Sequence, residues 1–434
     1  MIVRRPFWGV VFILICAGLA AFLLPPLAPN FPAESISIPY RLIYIAVMLI
    51  VVSWVWAFIS IRGLSFRRIA RGFRQQLGEV FEERFEIVNK YGFARVWLEI
   101  RDKSNLPGAK GSRVFSWIGR REQRTYTSYT LLTRRGEFDL GPTVLYSGDP
   151  FGLFAFQKTY LNSNRILVMP YFVEISSFPF PPGLLTGGKA LKRKTHETTP
   201  QSAGVREYAP GDPLNRIHWP STARRDRFMV KEFDQDPQAD VWIILDSQKS
   251  VQFNAVEAVE SPKVDKFWLW KKKLKFLLPP STFEYSTSIA ASVANYFVKQ
   301  GQGVGFISSG QMHTALPAER GDRQINKILE TLAFLKGEGE LPLIGLVNTQ
   351  ISNIPRGSVV VLVTSSNQDS VAAAADALAQ RKMKPVLILV DPVSFGGSEG
   401  VEQLAVTLQK KKVHVAIVRK GDDLKTVLEK GFLY

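Results

Sequence analysis

A single cysteine, Cys16, occurs in 434 residues, and it sits inside an apolar run. That excludes an intrachain disulfide, a thiolate zinc site and an exposed thiol nucleophile. Histidine is almost as scarce: His196, His218, His313 and His414 are scattered, without the short spacing of a metal-binding motif. His218 has no serine elbow or paired carboxylate beside it, so no nucleophile and base can be named. Acids are outnumbered, 38 against 55 lysines and arginines, for a formal net charge of +17. Such a balance suits nucleic acid or an anionic membrane surface, and the position of the charges decides between them.

Long apolar runs, by contrast, are present. Phe7 to Leu24 and Leu42 to Ile61 are each about 18 to 20 residues long, the length a hydrocarbon core demands. The loop between them, Pro25 to Tyr40, is rich in proline and carries Glu34. Arg4 and Arg5 precede the first run; Arg62, Arg67, Arg68, Arg71 and Arg74 follow the second. Positive charge is retained on the cytoplasmic side, so the sequence predicts two N-terminal transmembrane helices in the cell membrane with both outer flanks cytoplasmic. A cleaved signal peptide followed by a stop-transfer helix would leave the large region on the same side. The basic juxtamembrane segment, 62–78, reads as a contact for anionic membrane lipid, at about 1 kcal/mol per arginine, or else as a solvated helix face.

From 79 to 170 the pattern changes to short alternating runs, Phe85–Asn89, Val96–Ile100 and Tyr129–Thr133, separated by glycine-bearing turns. The spacing predicts a small antiparallel β-sandwich. Within it Gly136 and Gly141 suit positive φ, and Asp149-Pro150 suits a turn whose Phe151, Leu153 and Phe154 pin it to a core. The stretch 171–203, proline-rich and then basic, reads as a linker. Its GLLTGGK, Gly183 to Lys189, has P-loop spacing, but Ala190 replaces the magnesium-binding hydroxyl and prolines precede the loop where a buried strand should stand.

The segment from Arg206 to Asp246 combines a tight PGDP turn at Pro210 to Pro213, Arg216-Ile-His218-Trp219, an arginine-rich run and the strand VWIILD. Beyond it, strands at Val241 to Leu245, Val304 to Ser308, Val359 to Val363, Pro385 to Val390 and Val413 to Val418 alternate with helices. That order argues for an α/β doubly wound, mostly parallel sheet, with ligands at strand ends such as Asp246 to Ser250 and Thr364 to Asn367.

This signature, with RRGEFDLGP at Arg134 to Pro142 and DPFGLF at Asp149 to Phe154, resembles the family catalogued as domain of unknown function 58. The resemblance implies a von Willebrand factor A-like C-terminal domain over 204–434, with an insert near 251–280. It also implies partnership with a MoxR-type AAA+ ATPase in assembly or maturation of protein complexes. In the von Willebrand fold a magnesium (Mg) site uses a D-x-S-x-S loop, a threonine from a later loop and a further acid. Here Asp246 and Ser250 match that loop, Gln248 stands where its first serine belongs, and Thr314 is the candidate threonine. Structural capping is the alternative role for Asp246.

Arg206, Asp212, Arg216, His218, Trp219 and Arg224 form a candidate binding cluster for an acidic peptide or phosphate. The competing reading is an ion-pair lattice in which these arginines, with Arg225 and Arg227, meet Glu207, Asp212, Glu232 and Asp234. Val264 to Leu278 has a basic amphipathic pattern, so Phe267, Trp268, Trp270, Lys271 and Lys272 are candidate membrane or partner contacts. A membrane-anchored, non-enzymatic adaptor is the function expected. An enzyme using the Arg206 to Asp234 cluster and a nucleic-acid or lipid binder are the alternatives. Protease added outside intact cells is expected to leave the region after Ile61 intact; digestion there would reverse the topology.

Overall fold

The computed structural model describes residues 1–27, 33–161, 164–179, 202–210, 212, 214, 217–233, 240–255 and 276–433. It divides into two compact units, one built on Met1–Met169 and the other on Pro170–Ala258 and Leu277–Tyr434.

In the first unit β1 (Ile2–Val3) leads into α1 (Arg5–Leu27), followed by α2 (Ala33–Ser60). Both helices are long and apolar enough to cross a membrane, over Arg5–Leu23 and Ser37–Ser60. They run further into the Pro25 to Tyr40 segment than the prolines predict, α2 continuing through Pro39. Buried alanines, Ala17, Ala21 and Ala46, mark where their faces are covered, and small residues let helix backbones approach. Phe12, Ile15, Leu19 and Phe22 of α1 and Tyr44, Ile45 and Met48 of α2 are all more than half exposed. So much contiguous apolar surface is unsuited to water.

The strands that follow are β2 (Leu64–Ala70), β3 (Arg74–Gln76), β4 (Val80–Asn89), β5 (Leu98–Asp102), β6 (Arg113–Phe115), β7 (Gln123–Leu131), β8 (Gly136–Leu140), β9 (Thr143–Gly148), β10 (Phe154–Tyr160) and β11 (Asn164–Met169). Antiparallel pairing dominates, but the strands gather into three sheets, β1-β10-β9-β5-β6, β2-β4-β7 and β3-β11-β8, the last with β3 parallel to β11. Alternate residues of β4 are buried. Its Phe85 and Ile87 join Leu64, Tyr126, Leu98, Ile100 and Leu145 in one core, with Phe85 stacked on Tyr126 at 4.8 Å. Gly136 and Gly141 take positive φ, as their turns require.

The segment 62–78 is therefore part of the β unit, and Arg68 does not face lipid. It is buried between Glu83, 2.6 Å away, and Asp102, 2.9 Å away. Glu83 Oε2 meets no hydrogen-bond donor among the described residues. Burial holds the Glu83 carboxyl above the usual range, against the pull of the Arg68 guanidinium. When Glu83 is protonated, one charge of each sign remains.

The second unit comprises β12 (Ser202–Glu207), α3 (Trp219–Arg225), β13 (Met229–Phe233), β14 (Val241–Leu245), α4 (Thr282–Lys299), β15 (Val304–Ser309), β16 (His313–Glu319), α5 (Asp322–Phe334), α6 (Leu343–Gln350), β17 (Val359–Thr364), α7 (Ser370–Gln380), β18 (Lys384–Val390), α8 (Glu402–Lys410), β19 (His414–Val418), α9 (Leu424–Lys430) and β20 (Phe432–Leu433). Its main sheet has the order β16-β15-β14-β17-β18-β19-β20, parallel from β15 to β19 and antiparallel at both edges. Strands β14 and β17 are buried on both faces, which is why VWIIL and VVVLVT read as unbroken apolar runs. Trp242, Ile244, Val360, Leu362, Leu387 and Leu389 pack with α6, α7 and α8 in one core. The alternate residues Ile243, Val361, Val363 and Ile388 are fully buried on the opposite face, where α4 packs. Helix α7 shows the sequence logic: Val371, Ala374, Ala375 and Leu378 form one buried helical stripe, with Ala372 buried beside it.

Replacing Arg68 with Met strands two carboxylates in the β-unit core and is expected to cost about 3–5 kcal/mol in denaturant unfolding. Glu83→Gln, which imitates the protonated acid, is expected to cost far less; equal losses would contradict this charge balance.

Candidate functional site

The strand order reverses at β14, so the crevice of the sheet opens between the ends of β14 and β17, where ligands of open α/β sheets bind. Asp246 ends β14 and Thr364 ends β17. Thr364 Oγ1 donates to Asp246 Oδ2 at 2.6 Å, and the Gln248 N–H donates to Asp246 Oδ1 at 3.0 Å. Only 1% of Asp246 is exposed. Burial pushes its carboxyl above the usual range, and the Thr364 hydroxyl and Gln248 N–H pull the other way.

The neighbouring hydroxyls are spent in the same manner. Ser247 Oγ lies 2.7 Å from Ser308 Oγ, which donates to Leu245 O; Ser365 Oγ donates to Val251 O at 2.6 Å. Gln252 donates to Asp246 O and accepts from Thr282 Oγ1, tying the start of α4 to the crest. Ser247 falls in the strand-end stretch read from the sequence, whereas Ser308, Gln252 and Thr282 were missed, since nothing local marks them as lying at the crest.

Of the predicted metal set, Ser250 is exposed on the one-turn 3₁₀ helix Lys249–Val251. Thr314 lies on edge strand β16, and Thr364 is the threonine that meets Asp246. A hard divalent ion requires several oxygen ligands, charged ones above all. Among the described residues, this predicted set brings one carboxylate, and both of its oxygens already accept hydrogen bonds, so these residues do not fit Mg and the capping role describes Asp246.

The signature segment builds a separate small element. β12 and β13 pair antiparallel, with Arg206 opposite Val230 and Glu207 opposite Met229. The turn between them closes on Asp212, whose carboxylate accepts from Arg206 Nη1 at 2.7 Å, Arg206 Nη2 at 2.6 Å and the Ala209 N–H at 2.9 Å. Arg227 pairs with Glu207 at 2.9 Å. Thus Arg206 and Arg227 follow the ion-pair reading. Arg216, Asp234 and the insert residues Phe267, Trp268, Trp270, Lys271 and Lys272 lie outside the described residues, as does the side chain of Glu232.

His218 is the N-cap of α3. Its Nδ1 accepts from the Ser221 N–H at 3.3 Å and lies 2.7 Å from Ser221 Oγ, and its own N–H donates to Met229 O. An Nδ1 that accepts leaves the ring proton on Nε2, so the histidine caps a helix and is not poised as a base on that side. Pro220 follows in the first turn, where its missing N–H costs nothing. The helix then presents Trp219, 64% exposed, together with exposed Arg224 and Arg225.

Residues 204–266 match the family described as Protein of unknown function DUF58. A relative over a longer stretch is "Uncharacterized protein YeaD" of Bacillus subtilis (strain 168), 22% identical over 324 residues, 73% of this chain and 71% of that protein. The family match agrees with the resemblance read from the signature. Among solved structures, the CARDB domain of the PF1109 protein from Pyrococcus furiosus aligns at 13% identity and TM-score 0.18, over 24% of this chain and 91% of that one. The C-terminal domain of wzt aligns at 12% identity and TM-score 0.18, over 25% and 75%. Alignments that loose carry no argument about fold or function.

Because burial raises the folded value, the folded chain binds the Asp246 proton more tightly than the unfolded chain between the two values. The matching stability is complete below the ordinary carboxylate value of 3.8 and is lost as pH rises through the folded value. Asp246→Asn is therefore expected to gain in Tm relative to wild type as pH rises through that window. Magnesium titration is expected to give no heat that this substitution abolishes; such a heat would place a cation at the crest.

Proposed function

We propose that this protein is a membrane-anchored, non-enzymatic adaptor with its large C-terminal region in the cytoplasm. In this reading α1 and α2 are multi-pass spans oriented by the arginines that flank them. The β unit is a sandwich-like spacer, and the second unit is a von Willebrand factor A-like interaction domain whose partner is a MoxR-type AAA+ ATPase. The observation that carries the reading is the division of labour in the second unit. The acid and hydroxyls at the sheet crest are committed to internal hydrogen bonds, whereas Trp219, Arg224 and Arg225 stand exposed on α3. Tryptophan and arginine are the residues most enriched among energetic anchors of protein interfaces. The order β16-β15-β14-β17-β18-β19, with an acid ending the first parallel strand, supports the von Willebrand comparison.

The test is a crosslinked pull-down of the full-length protein from native membranes, comparing wild type with Trp219→Ala/Arg224→Glu. Recovery of an AAA+ ATPase by wild type and its loss from the variant is the expected outcome. Wild-type recovery of nucleic acid, or of no ATPase, would overturn the adaptor reading.

A further inference from the structure

The DPFGLF turn does more than close a hairpin. Strand β1 runs antiparallel to β10, with Ile2 opposite Ala155 and Val3 opposite Phe154, and the Arg4 N–H donates to Leu153 O at 3.0 Å. Phe151 and Gly152 line a cavity together with Arg4, the residue that precedes α1. Leu153 and Phe154, with Ala57, form an apolar cluster against which Phe7, Val10, Leu49 and Ile50 pack. Ile50 lies ten residues before the end of α2, about 15 Å along its axis. Helix α2 offers 24 span residues, about 36 Å against a hydrocarbon thickness of about 30 Å. Even if the whole excess protruded at this end, the cluster would reach below the headgroup boundary.

The tip is held rigidly for such a position. Asp149 accepts from the N–H groups of Phe151, Leu153 and Phe154 at 2.9, 3.1 and 2.6 Å, and Gly152 takes φ +72°. Phe151 is left outside, 57% exposed. Beside it is a cavity of about 250 Å³ lined by Arg4, Trp97, Asp149, Phe151 and Phe154, where the Arg4 guanidinium lies over the Trp97 ring at 4.2 Å. Trp8, Trp54 and Trp56 cluster at the same end of the helical hairpin, the distribution expected of an interfacial aromatic belt.

We propose that the Asp149–Phe154 tip is a third membrane-contact element. The Phe151 ring enters the acyl boundary beside α1, and the Arg4 guanidinium, held against Trp97, meets the phosphate of an anionic lipid headgroup. This rests on the reading of α1 and α2 as membrane spans, and the test separates the two.

In a Cys16→Ser background, full-length protein carrying Phe151→Cys, Leu19→Cys or Val114→Cys is labelled with an environment-sensitive fluorophore. Each is reconstituted into phosphatidylcholine vesicles with and without phosphatidylglycerol. Leu19 is exposed in mid-α1 and Val114 on β6, so they report span and solvent respectively. The expected result at position 151 is strong quenching by nitroxide near the headgroup end of the acyl chain, weak quenching by nitroxide at its tail, and iodide quenching several-fold below that at 114. Phosphatidylglycerol should strengthen the shallow quenching, and Arg4→Gln should remove that gain while insertion persists. Lipid quenching at 19 with iodide access at 151 equal to that at 114 overturns the tip element and leaves the spans standing. Iodide access at 19 overturns the spans, and the tip with them. No effect of phosphatidylglycerol overturns the headgroup contact.

Discussion

A carboxylate removed from water costs several kcal/mol unless donors replace the solvent it loses, and this constraint organises every corner of the molecule discussed above. Asp149 holds the β9–β10 tip by accepting three backbone N–H groups. Glu83 and Asp102 share Arg68 inside the β unit. Asp246 joins the ends of β14 and β17 through Thr364. Asp149, Asp102 and Asp246 each accept backbone N–H groups and so position the chain, whereas Glu83 meets the Arg68 side chain. Asp212, in partial exposure, also accepts a backbone N–H and closes the signature turn with Arg206.

The consequence for function is a separation between what is rigid and what is presented. The parallel sheet, buried on both faces, supplies a stiff frame, and its crest is closed by hydrogen bonds made within the chain. Among the described residues, exposed Trp219 stands with Arg224 and Arg225 in one unit, and exposed Phe151 stands near half-buried Arg4 in the other. Aromatic rings bury large area and arginine forms two-pronged bonds to anions, so both groups suit recognition of surfaces.

Much of the architecture was legible because it depends on local periodicity. The apolar runs of α1 and α2, the alternation of β4 and the unbroken VWIIL and VVVLVT strands each follow from spacing along a few residues. Arg68 was misread because an arginine within a basic cluster looks the same whether solvated, lipid-facing or buried. The partners of Arg68 lie 15 and 34 residues away. Nor does the alternation of short strands dictate how they group, and three sheets form where two were expected.

The candidate site divides along the same line. By itself the sequence determined that Asp246 ends a buried apolar strand, that His218 and Trp219 follow a tight turn, and that the one cysteine and four histidines are scattered along the chain. Those are properties of order and composition. Only the tertiary structure decided that Thr364, 118 residues away, meets Asp246, and that Arg206 meets Asp212 while Arg224 stays exposed. It alone set the DPFGLF turn beside the first helix. Hydrogen-bond partners are chosen by distance in space, and a parallel sheet brings together strand ends separated by whole helices, so no reading along the chain can assign them.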